Sequence, residues 1–166
     1  MMNPRKIYQQ FVAFEEQAAA IYLKMASQLS PENPELSGFW DMGMQEKQHA
    51  GLLQFCIGEK LFATDLPSDT QIQQTKALFA ALHKRAADPN LSVEDAFKIA
   101  TQMETSEVND IYDRLTTPLD ASMLRRKLAT MLPDHIGYLH KEARKCGVSE
   151  ETLKELERAV FRHSRH

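Results

Sequence analysis

Cysteine, glycine and an excess of either charge are scarce in this chain, and each shortage closes off a class of protein. Its two cysteines, Cys56 and Cys146, stand far apart with no C-x-x-C pair. No zinc ribbon, rubredoxin-type centre or iron–sulfur cluster is therefore expected. Two free buried thiols are the simpler reading, with a Cys56–Cys146 disulfide as the alternative. Lys and Arg total 20 against 23 Asp and Glu, a formal net charge of −3. With no basic block or basic-aromatic patch, nucleic acid is not an expected partner. No segment reaches the roughly 18 uninterrupted apolar residues that a membrane span requires. The first six residues lead into an amphipathic run rather than an apolar signal core, so the expectation is a cytoplasmic protein without a membrane partner.

Six glycines and seven prolines in 166 residues leave room for long helices, and the prolines fall mostly at element edges. Asn3-Pro4 opens the first helix as N-cap and first position; Ile7, Phe11, Phe14, Ala18, Ile21, Met25 and Leu29 mark one face at helical spacing. Asn33-Pro34 repeats that opening for a second helix running to about Gly58. Ser68 and Gln71 fit a capping box for a shorter helix through Ile72, Phe79, Leu82 and Ala86. Ser92 caps a third long helix whose face carries Val93, Ala96, Ala100, Met103, Ile111 and Leu115. Thr117-Pro118 opens a fourth, through Leu124, Leu128, His135, Leu139 and Cys146, which Gly147 stops. Ser149 starts a last short helix.

No strand pattern competes, so the class is all-α. The length suits one domain over 1–166, with a core bundle over about 4–146 and a C-terminal helix over about 149–163. The first two long helices are joined closely and must be antiparallel, as must the last two. The long connection between these pairs, Glu59 to Leu91, lets the second and third long helices run parallel. The expected architecture is a four-helix bundle with one long crossover carrying a short helix, the ferritin-like arrangement.

The chemistry concentrates where polar residues interrupt apolar faces. Glu46 and His49 are three apart and so share a helical face with Phe39, Met42, Leu53, Cys56 and Ile57. An unpaired polar group in such a stripe costs several kcal/mol. Glu15 borders the apolar face of the first helix, Glu104 and Glu107 lie in the stripe of the third, and His135 shares the face of the fourth. At about 1.5 Å per residue, Glu15 and Glu46 both sit near 20 Å from their shared hairpin end, and Glu104 and His135 also fall near mid-bundle. Carboxylates gathered at one depth repel unless cations or protons neutralise them. Oxygen and imidazole donors suit iron or manganese, while ion pairs with inward-reaching Lys or Arg are the alternative.

These segments give the chain a resemblance to the rubrerythrin-like branch of the ferritin-like superfamily. Glu15 followed seven residues later by Tyr22 is similar to its first-helix motif, and Glu46-Lys47-Gln48-His49 to its second-helix Glu-x-x-His. Glu104 and Tyr112 resemble the third-helix pair at a spacing of eight rather than seven; Leu132-Pro133-Asp134-His135 aligns with the fourth-helix Glu-x-x-His. The resemblance implies a di-iron carboxylate site with Glu15, Glu46, His49, Glu104 and His135 as ligands; Glu107, entering from the facing helix, is the expected sixth. It further implies peroxide reduction or ferrous iron oxidation as the reaction class. It departs at Leu132, where the family carries a bridging Glu, and Pro133 should kink the helix beside it. Two iron ions are expected if Glu107 compensates for Leu132 and one otherwise, with manganese or zinc as alternatives. Without the paired cysteines of a rubredoxin-like tail, turnover would need an external electron donor. A degenerate, non-catalytic bundle with one weak metal or none is the competing expectation.

His83, His140, His163 and His166 read as surface histidines. Tyr22 and Tyr112 read as core residues whose hydroxyls approach the site carboxylates. A second stripe on helix two, Trp40, Met44, Gly51 and Phe55, lies opposite Glu46. Either the crossover helix covers it or a second copy does, and a homodimer is the expectation.

Overall fold

Capping chemistry places most of the helix ends. The computed structural model describes residues 3–29, 34–119 and 135–163, and among them every regular element is helical. Asn3 Oδ1 accepts from the Arg5 amide at 2.9 Å where α1 (Pro4–Leu29) begins. A 3₁₀ turn over Pro34–Ser37 leads into α2 (Gly38–Glu59), so the chain makes a turn after Pro34 before the helix proper, and Asn33 lies outside the described residues. Helix α2 stops at Lys60, which adopts φ 58° and closes the end with its N–H on the Cys56 carbonyl. The capping box at α3 (Asp69–Ala86) forms as the sequence reads, Ser68 and Gln71 each bonding the other's backbone. Ser92 caps α4 (Val93–Glu104) by accepting from the Asp95 amide at 3.0 Å.

The third long helix is not continuous. It stops at Glu104, and Ser106, extended at φ −77° and ψ 162°, caps a new helix α5 (Glu107–Thr116). Side-chain competition explains the break. Thr105 Oγ1 donates to the Thr101 carbonyl, Ser106 Oγ to the Met103 carbonyl, and Asn109 Nδ2 to the Glu104 carbonyl. Three carbonyls within the last turn of α4, those of Thr101, Met103 and Glu104, are thus taken by side chains that favour caps over helix interiors. A 3₁₀ turn over Thr117–Leu119 follows. Leu124, Leu128, Leu132 and Pro133 lie outside the described residues. Helix α6 runs His135–Lys145, Gly147 at φ 66° ends that segment, and α7 spans Glu150–His163.

Side-chain contacts give the helix directions. Tyr8 packs on Phe62 beyond the end of α2, and Tyr22 stacks with Phe39 near its start, so α1 and α2 are antiparallel. Phe39 meets Phe97 and His49 meets Tyr112, so α4 and α5 run parallel to α2. Tyr138 Oη donates to Asp41 at 2.9 Å while Glu142 lies against Gly38, so α6 runs antiparallel to α2. The segment from Lys60 to Ser92, with α3 in its middle, spans the length of the molecule, as the parallel pair requires. Tyr8, Phe11, Tyr22, Phe39, Phe79 and Phe97 are essentially inaccessible at the centre. Burying an aromatic or large aliphatic side chain contributes about 1.5–3 kcal/mol.

Gly43 lets α1 and α2 approach closely, for a Cβ there would lie 2.9 Å from Leu23 Cγ and 3.3 Å from the Ala19 carbonyl oxygen. Both cysteines are free, and burial pushes the Cys56 thiol up to about 11. Trp40, Met44 and Phe55 are 56%, 44% and 43% exposed, so α3 does not cover the second stripe of α2. No helix among the described residues is long and apolar enough to cross a membrane.

Candidate metal centre

Glu15 on α1 and Glu46 and His49 on α2 converge in the core. Each is more than nine-tenths buried, and one ligand atom from each lies within 4.8 Å of the other two. His49 Nδ1 stands 3.0 Å from Glu46 Oε2 and 3.5 Å from Glu15 Oε2. The second Glu15 oxygen, Oε1, is buried with no hydrogen-bond partner. Such an orphan costs about 1–3 kcal/mol in a protein interior, and a cation seated among the three residues would relieve it.

Electrostatics describes the same cluster. Burial pushes the Glu46 carboxyl up to about 8; the Glu15 and Glu104 charges add to that rise and His49 opposes it. Burial alone would lower the His49 imidazolium, but hydrogen bonds to Glu15 and Glu46, and their charges, carry it up to about 10. Protons therefore hold the position that a metal would take, and a metal would have to displace them.

Glu104 is also buried, but other residues hold its carboxylate. Tyr22 Oη donates to Oε1 at 2.6 Å and Asn109 Nδ2 to Oε2 at 3.0 Å. Burial first, then the Glu104 and Glu46 charges, push the Tyr22 phenol well above its usual range, so it stays a neutral donor. Tyr112 lies over His49 with ring centroids 4.5 Å apart, and its buried hydroxyl has no partner. Burial and the nearby Glu15 and Glu46 carboxylates raise its pKa as well.

Of the six expected ligands, three converge. Glu104 stands beside them with its carboxylate oxygens engaged. Glu107 opens α5 and His135 opens α6, and both side chains lie outside the described residues, as does Leu132. The eight-residue spacing from Glu104 to Tyr112 contains the non-helical Thr105-Ser106 step. Sequence reasoning missed Asn109, which anchors both the carbonyl and the carboxylate of Glu104. The available signal was Ser106 followed by a fresh helix-start pattern inside an otherwise unbroken apolar period. Of the histidines read as surface residues, His83 is exposed and His140 stands 3.4 Å from Glu157.

Two carboxylates and an imidazole, buried and convergent, form a donor set that fits a single divalent ion such as iron(II), manganese(II) or zinc(II). No family model, curated protein or solved structure matches this chain.

Proposed function

We propose that this chain is a ferritin-like metal-binding protein in which Glu15, Glu46 and His49 hold one divalent transition-metal ion. Iron(II) is the first choice, with manganese and zinc as alternatives. The observation that carries this reading is the buried convergence of the three donors, with Glu15 Oε1 left unpartnered. The helix directions and the long connection through α3 support the ferritin-like bundle. Two carboxylates and a neutral imidazole offer a charge of −2 to a divalent ion, so a desolvated site ends near neutrality.

Bound iron would supply an electron and a Lewis acid for peroxide reduction or ferrous iron oxidation, the chemistry that the sequence resemblance implies. The protein's own part is to release the proton on His49 and to hold that ring in place beneath Tyr112. Tyr22 and Asn109 restrain Glu104 beside the site. An external electron donor would complete a catalytic cycle. The exposed line of Trp40, Met44 and Phe55, on the side of α2 away from Glu46, supports a homodimer formed through that face.

One observation favours the competing reading of a non-catalytic bundle. His49 bridges both carboxylates on its own, so a charged imidazole stabilises the fold without metal. Metal content per chain after anaerobic Fe(II) loading separates the two. One ion is expected. Two would bring in Glu104 with Glu107 or His135 as further ligands, and no tight binding would sink the metal reading and leave the structural one.

A further inference from the structure

A cavity of about 360 Å³ opens beside the break between α4 and α5. Gln71, Gln74, Thr75 and Leu78 of α3 form one wall, and Ser106 and Val108 form the other. None of the six is charged. Val108 is 5% exposed and belongs to the same continuous apolar core as Tyr112. Tyr112 lies four residues on, about one helical turn, with its ring on His49 and its hydroxyl unpartnered. Val108 and Tyr112 thus follow one another on α5 from the cavity wall to the buried cluster.

Thr105 and Ser106 interrupt the helix at this wall. The junction keeps two backbone bonds, 2.9 Å from the Thr105 amide to Thr101 and 3.2 Å from the Ser106 amide to Met103, with side-chain bonds from Thr105, Ser106 and Asn109 across it. Opening there breaks no helix interior, whereas opening α1 or α2 would. Local openings concentrate where backbone hydrogen bonds are few.

We infer that this cavity is the route by which water and small uncharged solutes reach the Glu15–Glu46–His49 cluster, with Val108 as its gate. The inference takes that cluster as the site of the proposed function, and its test does not require a metal. In the metal-free full-length protein, exchange of the His49 ring N–H with solvent is read by NMR. Val108→Phe should slow that exchange about tenfold and Val108→Ala should speed it by a similar factor. Backbone amide exchange in α1 and α2 should stay unchanged, which excludes global destabilisation. Gln74→Trp plugs the mouth from an exposed position without touching the core, and should slow the exchange even if Val108→Phe fails to fold. Unchanged His49 exchange in Gln74→Trp and Val108→Ala overturns the route.

Discussion

Tyr22 Oη donates to Glu104 Oε1 at 2.6 Å, tying α1 to the last residue of α4. With Asn109 on the other oxygen, this bond decides whether Glu104 behaves as a structural acceptor or a free carboxylate. Tyr22→Phe should destabilise the metal-free protein by about 1–3 kcal/mol, because a buried carboxyl oxygen loses its donor. Urea unfolding measures the change, and a loss well under that range would show that Glu104 is satisfied without Tyr22.

Metal affinity and metal-free stability should respond to pH in opposite directions. The folded His49 pKa, about 10, lies above its ordinary 6.5, so its contribution is complete below 6.5 and lost as pH rises through about 10. Glu46 acts in the same sense, its raised pKa favouring the folded state at low pH and losing that effect as pH rises through about 8. The metal-free protein should therefore weaken between pH 4.5 and 10, first through Glu46 and then through His49. Fe(II) or Mn(II) affinity should climb across the lower part of that window as protons leave the ligands. Thermal melts with and without Mn(II) at several pH values check both slopes, and a metal affinity flat with pH would contradict the ligand assignment.

Glu94 fastens the C-terminal helix. It accepts from the Ser149 amide at 2.8 Å and the Ser149 hydroxyl at 2.6 Å, and Thr152 Oγ1 donates to it as well. Those bonds, the Ser149 hydroxyl first, hold its carboxyl down to about 2 against an ordinary 4.5. The sign is opposite to that of His49: the contribution is present above pH 4.5 and lost as pH falls toward 2. Glu94→Gln should raise amide exchange across α7 at neutral pH and abolish acid loosening of that helix, while leaving α1 and α2 protected.

Two glycines on α2 should answer in opposite directions to alanine. At Gly43 the added methyl meets Leu23 and the Ala19 carbonyl, and overpacking should cost about 1–3 kcal/mol. At Gly51 nothing lies within 4 Å, and Gly51→Ala should stabilise by up to about 1 kcal/mol through helix propensity. Equal effects in denaturant melts would contradict the close α1–α2 contact.

Self-association through the exposed α2 face should depend on Trp40. Trp40→Glu should leave the helical content intact and shift sedimentation from dimer to monomer at micromolar concentration. A wild-type chain that sediments as a monomer would end the homodimer reading.

The helices were legible because their ends are written locally. Ser68 with Gln71, Ser92, and Gly147 each fix a terminus by chemistry within a few residues. The Glu15–Glu46–His49 group was legible because helix phase and depth are both countable along the chain. The break at Thr105-Ser106 was not, since the apolar period from Val93 to Leu115 continues across it and outweighs two polar residues in any window. Nor could sequence say that Glu104 would be engaged by Tyr22, 82 positions away, and by Asn109. Periodicity gives a residue's face and says nothing about the hydrogen bonds it finds there.

All three convergent donors belong to one pair of consecutive helices. Glu15 and His49 are separated by roughly thirty residues, a short loop whose closure entropy is modest. Low sequence separation makes this hairpin the most local tertiary pairing that carries the cluster, the kind of contact that costs least loop entropy to form. A folding route that begins there would need its repelling carboxylates neutralised early, by the His49 proton or by an ion, while the hairpin is still open to water.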